Sequence, residues 1–149
     1  REAYDAAIAS SPALARHLTD AICVGGHRRF AGRPGFLRQP FGPGWALVGD
    51  AGYFKDPVSA HGITDALTSA EFLADAVDQA RHSDEMRALA RYRDRRDDLA
   101  AALMPPVAAL AALDLDGPGA RHEFKRLSDA LRMEWDVVLA SLQPVTAVA

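Results

Sequence analysis

Cysteine is nearly absent. Cys23 stands alone among 149 residues, which excludes an intramolecular disulfide framework and points to a reducing, cytoplasmic compartment. Cys23 itself is expected as a small, semi-buried apolar side chain on a strand. Long hydrophobic runs are lacking too: the longest, 107–113, is Ala-rich and far too short to span a bilayer. No basic region followed by an apolar stretch opens the chain, so no secretion signal is expected. Charge of one sign is not in excess. Lys and Arg number 17 against 20 Asp and Glu, a net −3, which gives no electrostatic reason to expect nucleic acid or an anionic membrane. No internal repeat or low-complexity tract stands out. An initiator Met is lacking as well: the chain opens on Arg1-Glu2-Ala3, already within helical composition. It is therefore expected to be the C-terminal part of a longer polypeptide.

What remains is an ordinary globular composition, 49 % hydrophobic and 25 % charged, at a length suited to one sizeable core. Residues 2–9 have helical composition. Ser11-Pro12 is a helix start, with Ser as N-cap and Pro at the first helical position, and Leu14 and Leu18 extend a helix over 12–21. Residues 22–30 are expected as a strand, interrupted at Gly25-Gly26, and 36–39 as a second short one. Pro40 to Gly44 is the strongest turn signal, and Trp45-Ala46-Leu47-Val48 then forms a continuous apolar run, the pattern of a strand buried on both faces.

The rest is helical. Ile63, Leu67, Ala70, Leu73, Ala74 and Val77 share one stripe, predicting an amphipathic helix over 62–81. Ser83 is the expected cap of a second helix to about Leu103, with Met86, Leu89, Leu99 and Leu103 inward. Pro105-Pro106 is expected to break it and start a third helix ending near Leu113. A loop follows over 114–119. A last helix, 120–142, carries Phe124, Leu127, Leu131, Trp135, Val138 and Leu142 at spacings of three and four. The acid-interleaved arginine run 91–98 is expected as a salt-bridged helix face. The fold class is thus α+β and predominantly helical, a few short strands within 22–48 preceding three or four helices. Two segments are expected: a strand–loop–helix unit over 1–82 and a helical region over 83–149 packed on it.

Residues 44–74 carry the chemistry. A strand delivers Gly49-Asp50 at its C-terminal end, where ligands bind in α/β sheets. Gly49 permits close backbone approach, and Asp50 offers a carboxylate that accepts hydrogen bonds from hydroxyls. A loop closed by Pro57 leads to Ala60-His61-Gly62, which opens a long helix. Its first amides have no internal partner and, with the helix dipole, favour negative charge. The set suits an anionic ring attached to a polyol.

Gly49 to Leu67, reading Gly-Asp-Ala-Gly-Tyr-Phe-Lys-Asp-Pro-Val-Ser-Ala-His-Gly-Ile-Thr-Asp-Ala-Leu, resembles the second FAD motif of group A flavoprotein monooxygenases. It is especially similar to the Asp-Pro-(Ile/Val)-(Ser/Thr)-Ala-His-Gly-Ile variant of bacterial FAD-dependent dehydrogenases and monooxygenases. The resemblance covers about half the chain, roughly 12–77. It implies a fragment of an FAD- and NAD(P)H-using α/β oxidoreductase acting on a small organic substrate. It further implies that Gly49, Asp50, Pro57, Ala60, His61, Gly62 and Ile63 contact the cofactor. In that scheme Asp50 binds the ribityl hydroxyls, the amides of Ala60 to Ile63 face the flavin pyrimidine edge, and Tyr53 to Asp56 lie near the ring. Two departures stand out: Ala60 replaces the usual first Gly, and Thr64 stands where Asn is frequent. His61 is expected to act through its backbone, and Lys55 as a solvated loop charge. No catalytic residue or metal ligand is singled out.

The Gly-x-Gly-x-x-Gly turn that holds the FAD pyrophosphate is missing. The chain therefore carries a half-site, expected to need the N-terminal FAD-binding region for catalysis. The alternative is a non-catalytic helical interaction module, a truncated flavoprotein relative that self-associates through an exposed strand edge. A geranylgeranyl-reductase-like or halogenase-like fragment is a weaker alternative.

Overall fold

A computed structural model describes residues 2–26, 28 and 32–141. It is mostly helical, with a few short strands in two small sheets. The chain divides into two units, Arg1–Gly32 and Arg33–Ala149.

The first unit is a helical hairpin of α1 (Glu2–Ala9) and α2 (Pro12–His17). Pro12 takes the first position of α2 as expected, but Ser11 makes no side-chain cap. The helix ends at His17, short of the expected 21, because the chain turns at Leu18: the Ala21 N–H returns to the Leu18 carbonyl at 3.1 Å. The expected strand over 22–30 is not formed at 22–26 or 28; residues 27 and 29–31 lie outside the described residues. Ile22 and Val24 are exposed, and Gly25 adopts φ +101°, which an extended strand does not accommodate. Cys23 is exposed rather than semi-buried for the same reason.

The second unit begins with two antiparallel pairs. Strand β1 (Phe36–Leu37) pairs with β4 (Tyr53–Phe54), while β2 (Phe41–Gly42) and β3 (Trp45–Ala46) form a hairpin. The run 45–48 is therefore not a strand buried on both faces. Trp45 is 48 % exposed and Val48 37 %. The hairpin sets this: Gly44 turns at φ +77°, and the Trp45 indole lies over Gly42, where a Cβ would come within 2.6 Å of it. After the Leu47 N–H bonds the Pro40 carbonyl at 2.7 Å, a 3-10 turn at Gly49–Ala51 ends the extended run.

Three helices follow, α3 (Gly62–Ala80), α4 (Glu85–Ala111) and α5 (Gly117–Ser141), with α4 packed against both α3 and α5. The N-cap of α4 is Asp84, whose carboxylate accepts from the Arg87 N–H at 2.7 Å. Ser83, expected there, instead donates to the Gln79 carbonyl of α3 at 2.8 Å. Pro105-Pro106 does not break α4. Each proline removes an N–H from the ladder and costs helix stability, but the surrounding turn is held by packing. Leu103, Pro106, Val107 and Leu110 are buried, and Leu103, Val107 and Leu110 cluster with Leu127 and Ala130 of α5. A second cluster joins Phe41, Phe72, Ala76, Leu89 and Tyr92 across β2, α3 and α4.

Most of the expected stripe of α3 faces outward, although Leu73 is half-buried against the second cluster. Ile63 is 81 % exposed, Leu67 68 % and Val77 52 %, whereas Asp65, Thr68, Ser69, Phe72 and Ala76 are buried. In α4 Leu89 and Leu103 are inward as expected, but Met86 is exposed. On α5, Leu127, Ala130 and Glu134 point inward, while Phe124 and Trp135, expected in the core, are exposed. The arginine run is only partly a surface face. Arg93 pairs with Asp94 and Arg95 with Asp75 on α3, but Arg96 is buried. Its guanidinium donates to the Arg38 carbonyl at 2.8 Å and holds Asp97 at 2.6 Å. With the Tyr92 hydroxyl, which donates to the Leu47 carbonyl at 2.5 Å, it fastens the strand segment to α4. Among the described residues, no helix is long and apolar enough to cross a membrane.

Candidate functional site

Gly49 fixes the approach of the loop to α3. Its φ is +53°, and a Cβ there would sit 3.0 Å from the Ala66 Cβ, so both conformation and space call for glycine. Its N–H donates to the Ser69 hydroxyl at 2.9 Å. Asp50 follows on the exposed side, its Oδ1 4.0 Å from where a Cβ on Gly62 would stand. The carboxylate at the strand end and the start of α3 thus face each other across a short gap.

The connection between them is built tightly. Asp56 accepts from the Val58 N–H at 2.9 Å and caps a 3-10 turn, Pro57–Ser59, with Pro57 at its first position. Ala60 closes that turn in the left-handed region, φ +51°, its N–H bonded to the Pro57 carbonyl at 2.8 Å. This is the position where the resembled motif carries Gly, and the backbone shape is the one glycine favours. His61 is the N-cap of α3 and makes no side-chain cap; the Asp65 N–H to His61 carbonyl bond, 3.0 Å, is the first of the helix. The amides of the first turn are thus left without the usual side-chain acceptor.

Of the seven cofactor-contact candidates, Gly49, Asp50, Ala60, Gly62 and Ile63 line one open cleft, with Val48, Ala66 and Leu67 as its apolar wall. Pro57 lies outside it in the 3-10 turn. His61 does not line it; its ring turns to α5, where Nε2 lies 2.5 Å from Glu134 Oε2. Tyr53 and Lys55, expected near a bound ring, are buried and absent from the cleft lining.

Behind the cleft, the structure gathers ionisable groups: Lys55, His61 and Tyr53, named above in other roles, join Asp65 and Glu134, which the sequence reading missed. Lys55 is not a solvated loop charge: it is buried and ion-paired with Asp65, their side chains 3 % and 5 % exposed. Its ammonium also lies 4.7 Å from the centre of the Tyr53 ring. The Tyr53 hydroxyl is buried and has no hydrogen-bond partner among the described residues. Burial, then the nearby Asp65 and Glu134 carboxylates, push its phenol well above the usual range, with Arg96 opposing. Donor atoms of His61, Asp65 and Glu134 lie within 4.8 Å of one another. Lys55, however, already supplies the cation that buried Asp65 requires, and Glu134 is already engaged by His61. The group is internally paired in this arrangement, Lys55 with Asp65 and His61 with Glu134.

Two signals in the sequence mark this network. Asp65 falls four residues after His61, on the same face of the helix start. Glu134 falls on the inward spacing set by Leu127, Ala130 and Leu131, where a charge must be paired.

No protein-family model, curated protein or solved structure matches the chain.

Proposed function

We propose that the chain is the flavin-contacting portion of an FAD-dependent oxidoreductase, a monooxygenase or dehydrogenase that draws electrons from NAD(P)H to transform a small organic substrate. One observation carries this: Gly49 and Asp50 before the loop, and Ala60, Gly62 and Ile63 after it, line a single open cleft. The left-handed turn at Ala60 supports it, because that backbone shape suits the glycine the motif usually carries there.

Each part has a chemical task in this reading. Asp50 accepts hydrogen bonds from the ribityl hydroxyls. The uncapped amides at the start of α3 offer donors and dipole to the ring edge that becomes negative on reduction. Val48, Ala66 and Leu67 exclude water from the ring face. FAD would supply the redox chemistry. No residue is assigned to its pyrophosphate, which falls to the Gly-x-Gly-x-x-Gly unit that the sequence lacks; that unit and the NAD(P)H site belong, in this reading, to a further N-terminal region. Catalysis by the chain alone is not part of the proposal, and the location proposed is cytoplasmic.

The test is the visible absorption spectrum of the purified chain with and without added FAD, repeated with riboflavin, which has ring and ribityl but no pyrophosphate. Perturbed flavin bands are expected with both ligands, with Asp50→Ala weakening binding about tenfold, the loss of a hydrogen-bonded charge. Spectra unchanged up to the solubility limit of either flavin would sink the proposal. A second reading, the self-associating interaction module, draws support from the outward apolar stripe of α3. Colourless, folded protein that runs as an oligomer in light scattering would favour it.

A further inference from the structure

The last helix carries no residue of the flavin motif, yet it reaches the motif's turn. Glu134 of α5, 3 % exposed, meets His61 Nε2 at 2.5 Å across 73 residues of sequence. His61 sits between the left-handed Ala60 and Gly62, at the hinge of the turn that faces the cleft.

We propose that Glu134 is a positioning residue for the cofactor-facing turn, acting through the His61 ring; the assignment to cofactor rests on the flavin reading above. Two consequences of the geometry support it. An N-cap side chain ordinarily folds back onto the first helical amides and occupies them. Here the N-cap ring is drawn away to α5 and makes no cap, and Gly62 and Ile63 of the first turn line the cleft. Ala60 also holds a backbone conformation unfavourable for a non-glycine residue, and such a conformation persists only where its surroundings over-determine it. Asp56 and the Pro57 carbonyl fix the turn from one side. The Glu134–His61 bond fixes it from the other. Glu134 is available for this because the remaining charges facing it are engaged elsewhere: Lys55 by Asp65, and Arg96 by Asp97 and the Arg38 carbonyl. The Tyr53 hydroxyl has no hydrogen-bond partner among the described residues.

Two backbone bonds report on the turn directly: Ala60 N–H to the Pro57 carbonyl, and Asp65 N–H to the His61 carbonyl. Hydrogen exchange of these two amides is measured by NMR on the whole chain, against amides in the middle of α3 and α4. In Glu134→Ala, exchange at Ala60 and Asp65 is expected to rise at least tenfold while the reference amides change less than twofold. Glu134→Gln retains an acceptor for the ring N–H and is expected to restore both amides. Uniform acceleration along all three helices, no change at Ala60 and Asp65, or a Glu134→Gln variant as fast as Glu134→Ala would each overturn the proposal. If Glu134→Ala does not fold, His61→Ala, which removes the ring without supplying a capping side chain, is read at the same two amides with the same criterion. Riboflavin titration of the same variants tests the cofactor clause separately. A wild-type chain that binds no flavin removes the flavin reading and leaves the positioning result standing, whereas flavin binding with unaltered exchange removes the positioning alone.

Discussion

Substituting Asp65 by Ala isolates the buried pair that ties the loop to α3. The side chains of Lys55 and Asp65 are 3 % and 5 % exposed, so the variant leaves an ammonium in the interior with no carboxylate of its own. Breaking a buried pair by removing one partner costs about 3–5 kcal/mol. Glu134, whose carboxylate lies within 4.8 Å of the Asp65 ligand atom, can take over part of the charge, which sets the expectation at the lower end, about 3 kcal/mol. Against a total stability of about 5–15 kcal/mol for a domain, that is a large fraction. The assay is urea unfolding at neutral pH, followed by circular dichroism, with the midpoint expected to fall and the slope to stay constant. The double variant Lys55→Met/Asp65→Leu removes both charges and is expected within about 1–2 kcal/mol of wild type, since apolar replacement of a buried pair is commonly close to neutral. A single-variant cost below about 1 kcal/mol, the range of exposed pairs, would refute the reasoning, as would a double variant less stable than the single.

Tyr53→Phe deletes a buried hydroxyl without a partner among the described residues and is expected to raise stability by about 1 kcal/mol at neutral pH, measured as a Tm increase of about 2–4 °C. The same residue makes the fold sensitive to alkali. Because burial holds its phenol above the usual value, the unfolded chain releases that proton first, near pH 10; stability is intact below this and falls as pH rises above it. A pH series of melting curves in which Tyr53→Phe is no less alkali-sensitive than wild type would contradict this, the raised Tyr92 contributing equally to both. The two left-handed loop residues predict opposite signs. Gly49→Ala should cost about 2 kcal/mol or more, from its φ and its contact with Ala66, whereas Ala60→Gly should be neutral to about 1 kcal/mol stabilising, by urea titration, although Ala→Gly ordinarily destabilises. Leu67→Asp, at a site 68 % exposed on the cleft wall, should change stability by less than about 0.5 kcal/mol while abolishing riboflavin quenching.

Local chemistry was readable from the sequence where a single residue type dictates the backbone. Gly62 begins a long helix, as expected, whereas Gly49, expected to let the backbone approach a ligand, meets Ala66 in a left-handed conformation, and Pro57, expected to close the loop, opens a 3-10 turn. The cleft residues came together because the motif is continuous in sequence and its turns are set locally. What failed was orientation. The apolar period of α3 is real, but period alone does not say which side a helix presents to its neighbours. Tertiary pairing of Lys55 with Asp65 and of His61 with Glu134 depends on side chains from separate elements, 10 and 73 residues apart, which no local pattern encodes. Pro105-Pro106 misled for a related reason: a proline penalty of a few kcal/mol is offset by the burial of Leu103, Val107 and Leu110 against α5.

The two faces of α3 bear on what must cover it. A helix at the surface of a finished domain buries its apolar side and exposes its polar one. Here Asp65, Thr68 and Ser69 are buried beside Phe72 and Ala76, while Ile63, Leu67 and Val77 are exposed. Two of the buried polar groups are paired across elements: Asp65 with Lys55, and Ser69 with the Gly49 N–H. The inward side is therefore a settled interface, and the outward side is an additional apolar face. A flavin in the cleft would cover only its beginning, because the cleft lining on this helix ends at Leu67. Val77 lies fourteen residues beyond Ile63, about 21 Å along the axis at 1.5 Å per residue, too far for one ring to reach. In the proposed function a ligand thus covers the first turn of the helix and leaves Val77 out of reach, so riboflavin is expected to protect Ile63 and Leu67 from exchange-linked labelling and to leave Val77 unaffected.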